Sequence, residues 1–107
     1  MSKTAFKIVT IDKYGTMYSP ISYAGLAVRY TRGRWAKAKK RGHYLFVYKT
    51  MKDAFKMLRM IEENRVDSNQ SLVVIECQTV NLRKAVGGGP ISEYRCTRLK
   101  PIRIVAP

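Results

Sequence analysis

Helical periodicity is confined to one stretch of this sequence, and that confinement constrains the fold more than any other feature. Met51, Ala54, Phe55, Leu58 and Ile61 recur at three- and four-residue spacing and line one face of a helix. Thr50-Met-Lys-Asp53 in front of them has the form of a capping box, with the Thr50 hydroxyl placed to accept an orphan amide of the first turn. Roughly residues 50 to 64 are therefore expected to be helical, with Lys52, Lys56, Arg59 and Glu63 on the solvated face and Asn64 to Ser71 as the exit loop.

The remainder reads as strands. Ala5-Phe-Lys-Ile-Val-Thr-Ile11 alternates and is rich in β-branched residues, and Asp12-Lys-Tyr-Gly15 after it supplies a hairpin turn. Thr16-Met-Tyr-Ser19 returns along that strand and Pro20, which has no amide hydrogen to give, ends the pairing. Leu26 to Thr31 is the next expected strand. Tyr44-Leu-Phe-Val-Tyr-Lys49 is a nearly continuous apolar run suited to the middle of a sheet. Ser71 to Val80 forms a further strand, and Tyr94 to Val105 alternates with an expected interruption at Pro101. Val86-Gly-Gly-Gly-Pro-Ile91 between them reads as a hairpin tip. The expectation is an α+β fold, a mainly antiparallel sheet of about five or six strands with one packed helix.

A chain of 107 residues, 46% of them hydrophobic, can bury one core, so residues 1–107 are expected to form a single domain. The formal charge is +14, from 21 Lys and Arg against 7 Asp and Glu. Residues 1–50 hold 11 basic residues and 1 acidic, whereas residues 51–107 hold 10 and 6. Self-repulsion of this size points to an anionic partner. No apolar run is long enough to span a bilayer, and Met1-Ser-Lys-Thr-Ala-Phe-Lys lacks the apolar core of a secretory signal, which implies an intracellular protein and no membrane partner. In that setting the two cysteines, Cys77 and Cys96, are expected as buried free thiols in strands. One histidine and no Cys-x-x-Cys pair argue against a metal site, and nothing calls for a cofactor.

The charge concentrates in Thr31-Arg-Gly-Arg-Trp-Ala-Lys-Ala-Lys-Lys-Arg-Gly-His43, which reads as a cationic connection between two strands. Its Arg32, Arg34, Lys37, Lys39, Lys40 and Arg41 suit phosphate contact, and Trp35 either stacks on a base or pins the loop in the core. Arg29, Tyr23 and Tyr44 complete the expected ligand-binding set, in an open groove for nucleic acid or, with Trp35, in a pocket for a small nucleotide. Tyr44 and Tyr48 share strand parity with Phe46, so a stacking platform on that face is weighed against simple packing. The bland alternative for the basic segment is a solubilising loop. Catalysis has little to draw on: His43 sits beside a cationic run, and Glu62, Glu63, Glu76 and Glu93 are not paired by any motif.

The order "FKIVTIDKYGTMYSPIS", "VRYTRGRW", "YLFVYKTMKDAFKML", "LVVIECQTV" resembles a group of small uncharacterised phage and bacterial proteins, a likeness that covers roughly residues 6 to 80 and implies no activity. A more distant similarity is to ADP-ribosyltransferase-like folds, which shape a nicotinamide dinucleotide pocket. No Ser-Thr-Ser element and no glutamate of a late catalytic loop can be placed here. The functional expectation is a non-enzymatic binding protein, of phage or mobile-element type, that grips nucleic acid or a nucleotide. The alternatives are an inhibitor of an acidic protein partner in counter-defence and, behind it, an ADP-ribosyltransferase-like enzyme.

Overall fold

The first strand, β1 (Lys3–Ile11), sends alternate side chains to opposite faces, as the pleat requires, and each face buries its own cluster. The computed structural model describes residues 3–19, 28–38, 44–63, 71–85 and 93–105. Ala5 and Val9 join one cluster with Leu45, Val47, Ile75, Cys77, Cys96 and Leu99. Ile8 joins the other with Val74, Val105, Ala54 and Leu58.

The chain continues through β2 (Met17–Tyr18), β3 (Arg29–Tyr30), β4 (Ala36–Lys37), β5 (Leu45–Tyr48), α1 (Met51–Glu63), β6 (Ser71–Val80), β7 (Arg83–Lys84), β8 (Glu93–Cys96) and β9 (Arg98–Val105). All pairings are antiparallel, in the order β4-β9-β6-β1-β5-β8-β7, with β2 attached to β1 and β3 to β2. This is the expected α+β architecture. Five strands of four or more residues carry it, and four two-residue strands, β2, β3, β4 and β7, extend its margins.

The path β9-β6-β1-β5-β8 returns on itself, because β8 runs into β9 through the single residue Thr97. One bent ribbon therefore pairs with β5 on one side and with β6 on the other. The five strands ring the first cluster, and α1 packs against the outside through Ala54 and Leu58. At the bend Thr97 donates its amide to the Val80 carbonyl at 3.1 Å.

Local signals explain several elements. Asp12 accepts the Tyr14 and Thr16 amides on one carboxylate oxygen at 2.9 Å each, and Gly15 takes φ 82° to complete the first turn. The Asp53 amide donates to Thr50 Oγ1 at 3.2 Å, which fixes the start of α1 where the capping pattern placed it.

Two expectations are corrected. The final ribbon breaks at Thr97, not at Pro101, which is buried inside β9 opposite Cys77. The register shifts between Glu76 and Cys77 at that point, and such a bulge tolerates a residue without an amide hydrogen. The basic segment is more than a connection, since Ala36 and Lys37 pair with Leu99 and Arg98 as β4. Of the expected strand Leu26 to Thr31, Arg29–Tyr30 is strand, and residues 26 and 27 lie outside the described residues, as do Pro20 and the Gly87-Gly-Gly-Pro90 tip.

Candidate polyanion-binding face

The described part of the basic segment, residues 31–38, is strapped to β9 by its backbone. Gly33, at φ 79°, donates its amide to the Pro101 carbonyl at 2.8 Å, and Arg34 closes the turn by donating to Thr31 at 3.1 Å. Arg32 Nε donates to the Ile102 carbonyl at 2.8 Å, so this guanidinium is partly committed to holding the turn. Ala36 faces the first core opposite the fully buried Leu99. Alternation then sends Trp35 and Lys37 of one strand, and Arg98 and Lys100 of the other, to the outer face.

On that face Lys37 lies directly opposite Arg98, and the Lys100 ammonium stands 5.2 Å from the centroid of the Trp35 ring. Trp35 is 45% exposed, which decides against its being a core anchor. Along β6 the outward residues run from Val74, which α1 covers, through Glu76 to Gln78, and Gln78 lies opposite Lys100. The basic strip therefore begins where the helix stops, beyond an ion pair of Arg103 with Glu76 at 3.3 Å. No carboxylate among the described residues pairs with Lys37, Arg98 or Lys100.

Arg98 and Lys100 were missed by sequence reasoning. Their signal was present as cations flanking the apolar Leu99, the pattern of a strand with one wet face. What local sequence lacked was the partner, because β4 and β9 are brought together from distant parts of the chain.

The other expected site residues are dispersed. Arg29 is exposed on β3, whose described pairing is to β2, and Arg34 is exposed in the turn. Tyr44 precedes β5, with the Arg95 guanidinium carbon 4.4 Å from its ring centroid. Tyr23, Lys39, Lys40 and Arg41 lie outside the described residues, as does His43. The shared face of Tyr44, Phe46 and Tyr48 is divided: Tyr44 and Phe46 are 40% and 48% exposed, whereas Tyr48 is buried against the helix-side cluster. Tyr48 donates to Glu93 at 3.3 Å, and burial together with that carboxylate's charge raises its phenol pKa.

Inside the ring sits a second group of titratable side chains. Lys7 is buried and donates Nζ to the Phe46 carbonyl at 2.7 Å, with the Tyr30 ring centroid 5.7 Å from the nitrogen. Burial lowers its pKa, opposed by the charges it senses on Cys77, Cys96 and Glu93. Cys77 and Cys96 are buried free thiols, pushed up to about 12 and about 11 by loss of water. The Tyr30 phenol is raised by burial too. Ser19 lies close enough to temper that shift, yet Tyr30 Oη makes no hydrogen bond of good geometry, at a cost of about 1–3 kcal/mol.

Glu76 pairs with Arg103, and Glu93 accepts a hydrogen bond from Tyr48. No group of three metal-ligating side chains occurs among the described residues, and no described helix is long and apolar enough to cross a membrane. A groove of about 600 Å³ lies between α1 and β9, lined by Phe55, Leu58, Leu72, Val74, Ile104 and Val105. It is apolar, with Arg59 and Glu62 on its lining as well, and no cluster of cations converges on it. No protein-family model matches the chain, and no curated protein or solved structure is significantly similar to it.

Proposed function

We propose that the protein binds a phosphate-rich polymer, a nucleic acid, through the outer face of β4 and β9. The observation that carries this reading is the arrangement of Lys37, Arg98 and Lys100 without carboxylate partners around a tryptophan left 45% exposed. A solubilising surface does not need an exposed indole beside its cations. Phosphate recognition needs the cations, and base contact uses the ring.

A polymer suits this face better than a small nucleotide. The strip lies on the outer face of β4 and β9, away from the first core, while the groove beside α1 is lined largely by apolar side chains that offer phosphate little. A ligand that touches the strip gains by neutralising several charges in a row, and each neutralised phosphate releases counterions. Arg34, in the turn that precedes Trp35, extends the positive field at one end. The role assigned is binding, with no turnover.

Trp35 is the single tryptophan of the chain, so its emission reports on the strip without a label. Titration with a nucleic acid should quench that emission, and the fitted affinity should fall steeply as salt is raised. An affinity indifferent to salt would sink the reading. So would retention of full affinity after Lys37, Arg98 and Lys100 are replaced together by alanine. Capture of an acidic protein that survives nuclease treatment, with no nucleic-acid binding, would favour an inhibitor of that protein.

A further inference from the structure

We infer that the bound polymer is single-stranded nucleic acid, held by two separate stacking platforms on either side of the Thr97 bend. This rests on the polyanion reading above and adds the class of nucleic acid and a second site.

The second platform is Tyr44 with Phe46. Phe46 is 48% exposed on β5 and Tyr44, just before that strand, is 40% exposed, two positions apart in sequence, a backbone spacing of about 7 Å in extended chain. Arg95 lies opposite Phe46 and holds its guanidinium over Tyr44, and Arg83 lies opposite Arg95 on the next strand. Arg95 Nε, buried beside the ring, has no acceptor in the protein. An aromatic pair edged by two guanidinium groups thus repeats, on β5, β8 and β7, the composition of the Trp35 strip on β4 and β9.

Both platforms belong to one ribbon. Arg95 and Lys100, the cations that contact Tyr44 and Trp35, are five positions apart along β8 and β9, a contour of roughly 16 Å. Arg98 and its partner Lys37 lie in between. A mononucleotide reaches one platform only. A duplex keeps its base faces stacked inside and cannot follow a ribbon that bends at Thr97. A single strand can turn with the ribbon, lay bases on rings at both ends and set its phosphates on the cations between. Trp35 and Tyr44 are each backed by a cation and, like Phe46, are partly exposed, the arrangement in which a base is accepted irrespective of its identity.

The test uses the full chain and three probes: a single-stranded oligothymidylate, a duplex of the same length and inorganic polyphosphate of similar charge. The intact protein should bind the single strand at least about tenfold more tightly than the other two. Phe46→Ala, and separately Tyr44→Ala, should weaken single-strand binding by about fivefold or more while leaving polyphosphate binding unchanged. Phe46→Tyr should restore it. Unfolding curves confirm that each variant is folded, and Phe46→Ala, at a half-exposed position, guards against a structural loss at Tyr44. Equal affinity for all three probes, or ring variants that change nothing, overturns the stacking inference and leaves the polyanion reading standing. Failure to bind any probe removes both.

Discussion

Lys7 Nζ lies 2.7 Å from the Phe46 carbonyl oxygen, so a lysine buried inside the ring of strands is tied to the backbone of the residue whose own ring is exposed outside. The contact spans the sheet from its interior to the backbone of β5. Its energetic consequence is a pH dependence whose sign is fixed by burial.

Lysine in the unfolded chain takes up its proton below an ordinary value of 10.5, and burial lowers that value for Lys7 in the folded protein. Between the lowered and ordinary values the unfolded state binds more protons, so this contribution rises with pH and is lost as pH falls through the folded value. Lys7→Met removes it. Urea unfolding of both proteins from about pH 6 up to the ordinary lysine value of 10.5 should show the variant gaining on the parent as pH is lowered. Parallel stability profiles would contradict a desolvated Lys7.

The thiols carry the opposite sign. Burial pushes Cys96 up to about 11 and Cys77 up to about 12, against an ordinary value of 9.0. Their contribution is complete below the ordinary thiol range and is lost as pH rises through the folded values, because the unfolded chain ionises first. Both thiols should ignore a disulfide reagent at about pH 8 in the native protein and react at once in denaturant. Fast labelling of either one without unfolding would show that the ring opens.

Removal of one hydroxyl tests the helix start. Thr50→Ala deletes the acceptor of the Asp53 amide and should cost about 1 kcal/mol of unfolding free energy, read as a lowered urea midpoint with unchanged slope. Thr50→Ser should recover most of it. Neither change should alter Trp35 quenching by nucleic acid, since α1 stands beyond the Glu76 and Arg103 pair from the strip.

These residues also show what could be read from the sequence. Thr50 with Asp53, the glycine of the first turn, and the span Ser71–Val80 depend on neighbours within a few positions, and each was legible. The α+β class followed from one periodic stretch among alternating ones. The two-residue strands β4 and β7 were not legible, because a pair such as Lys37 opposite Arg98 is set by where β9 lies and by nothing in either local sequence. Pro101 is a similar case: its missing amide hydrogen is accommodated where β9 carries an extra residue, Ile102, against Glu76 and Cys77 of β6. Composition singles out Trp35 and the first cations of the basic segment as candidates. Arg95, Arg98 and Lys100 entered only when the ring of strands brought β8 and β9 alongside them.

Individual cations of the strip can be ranked by what already holds them. Lys37, Arg98 and Lys100 have no carboxylate partner among the described residues, so alanine at each should lower the slope of log affinity against log salt by about 0.7 to 0.9. Arg103 differs, since its guanidinium is 3.3 Å from Glu76. Arg103→Ala should move the slope by clearly less than any of those three. Glu76→Gln should do the reverse: it releases Arg103 and removes a negative charge beside the strip. The pair is exposed enough to be worth only about 0.2–1 kcal/mol, so the gain in affinity should be about two- to fivefold at low salt and fade as salt is raised. Equal losses from Arg103→Ala and Lys100→Ala, with no gain from Glu76→Gln, would place the polymer elsewhere on the surface.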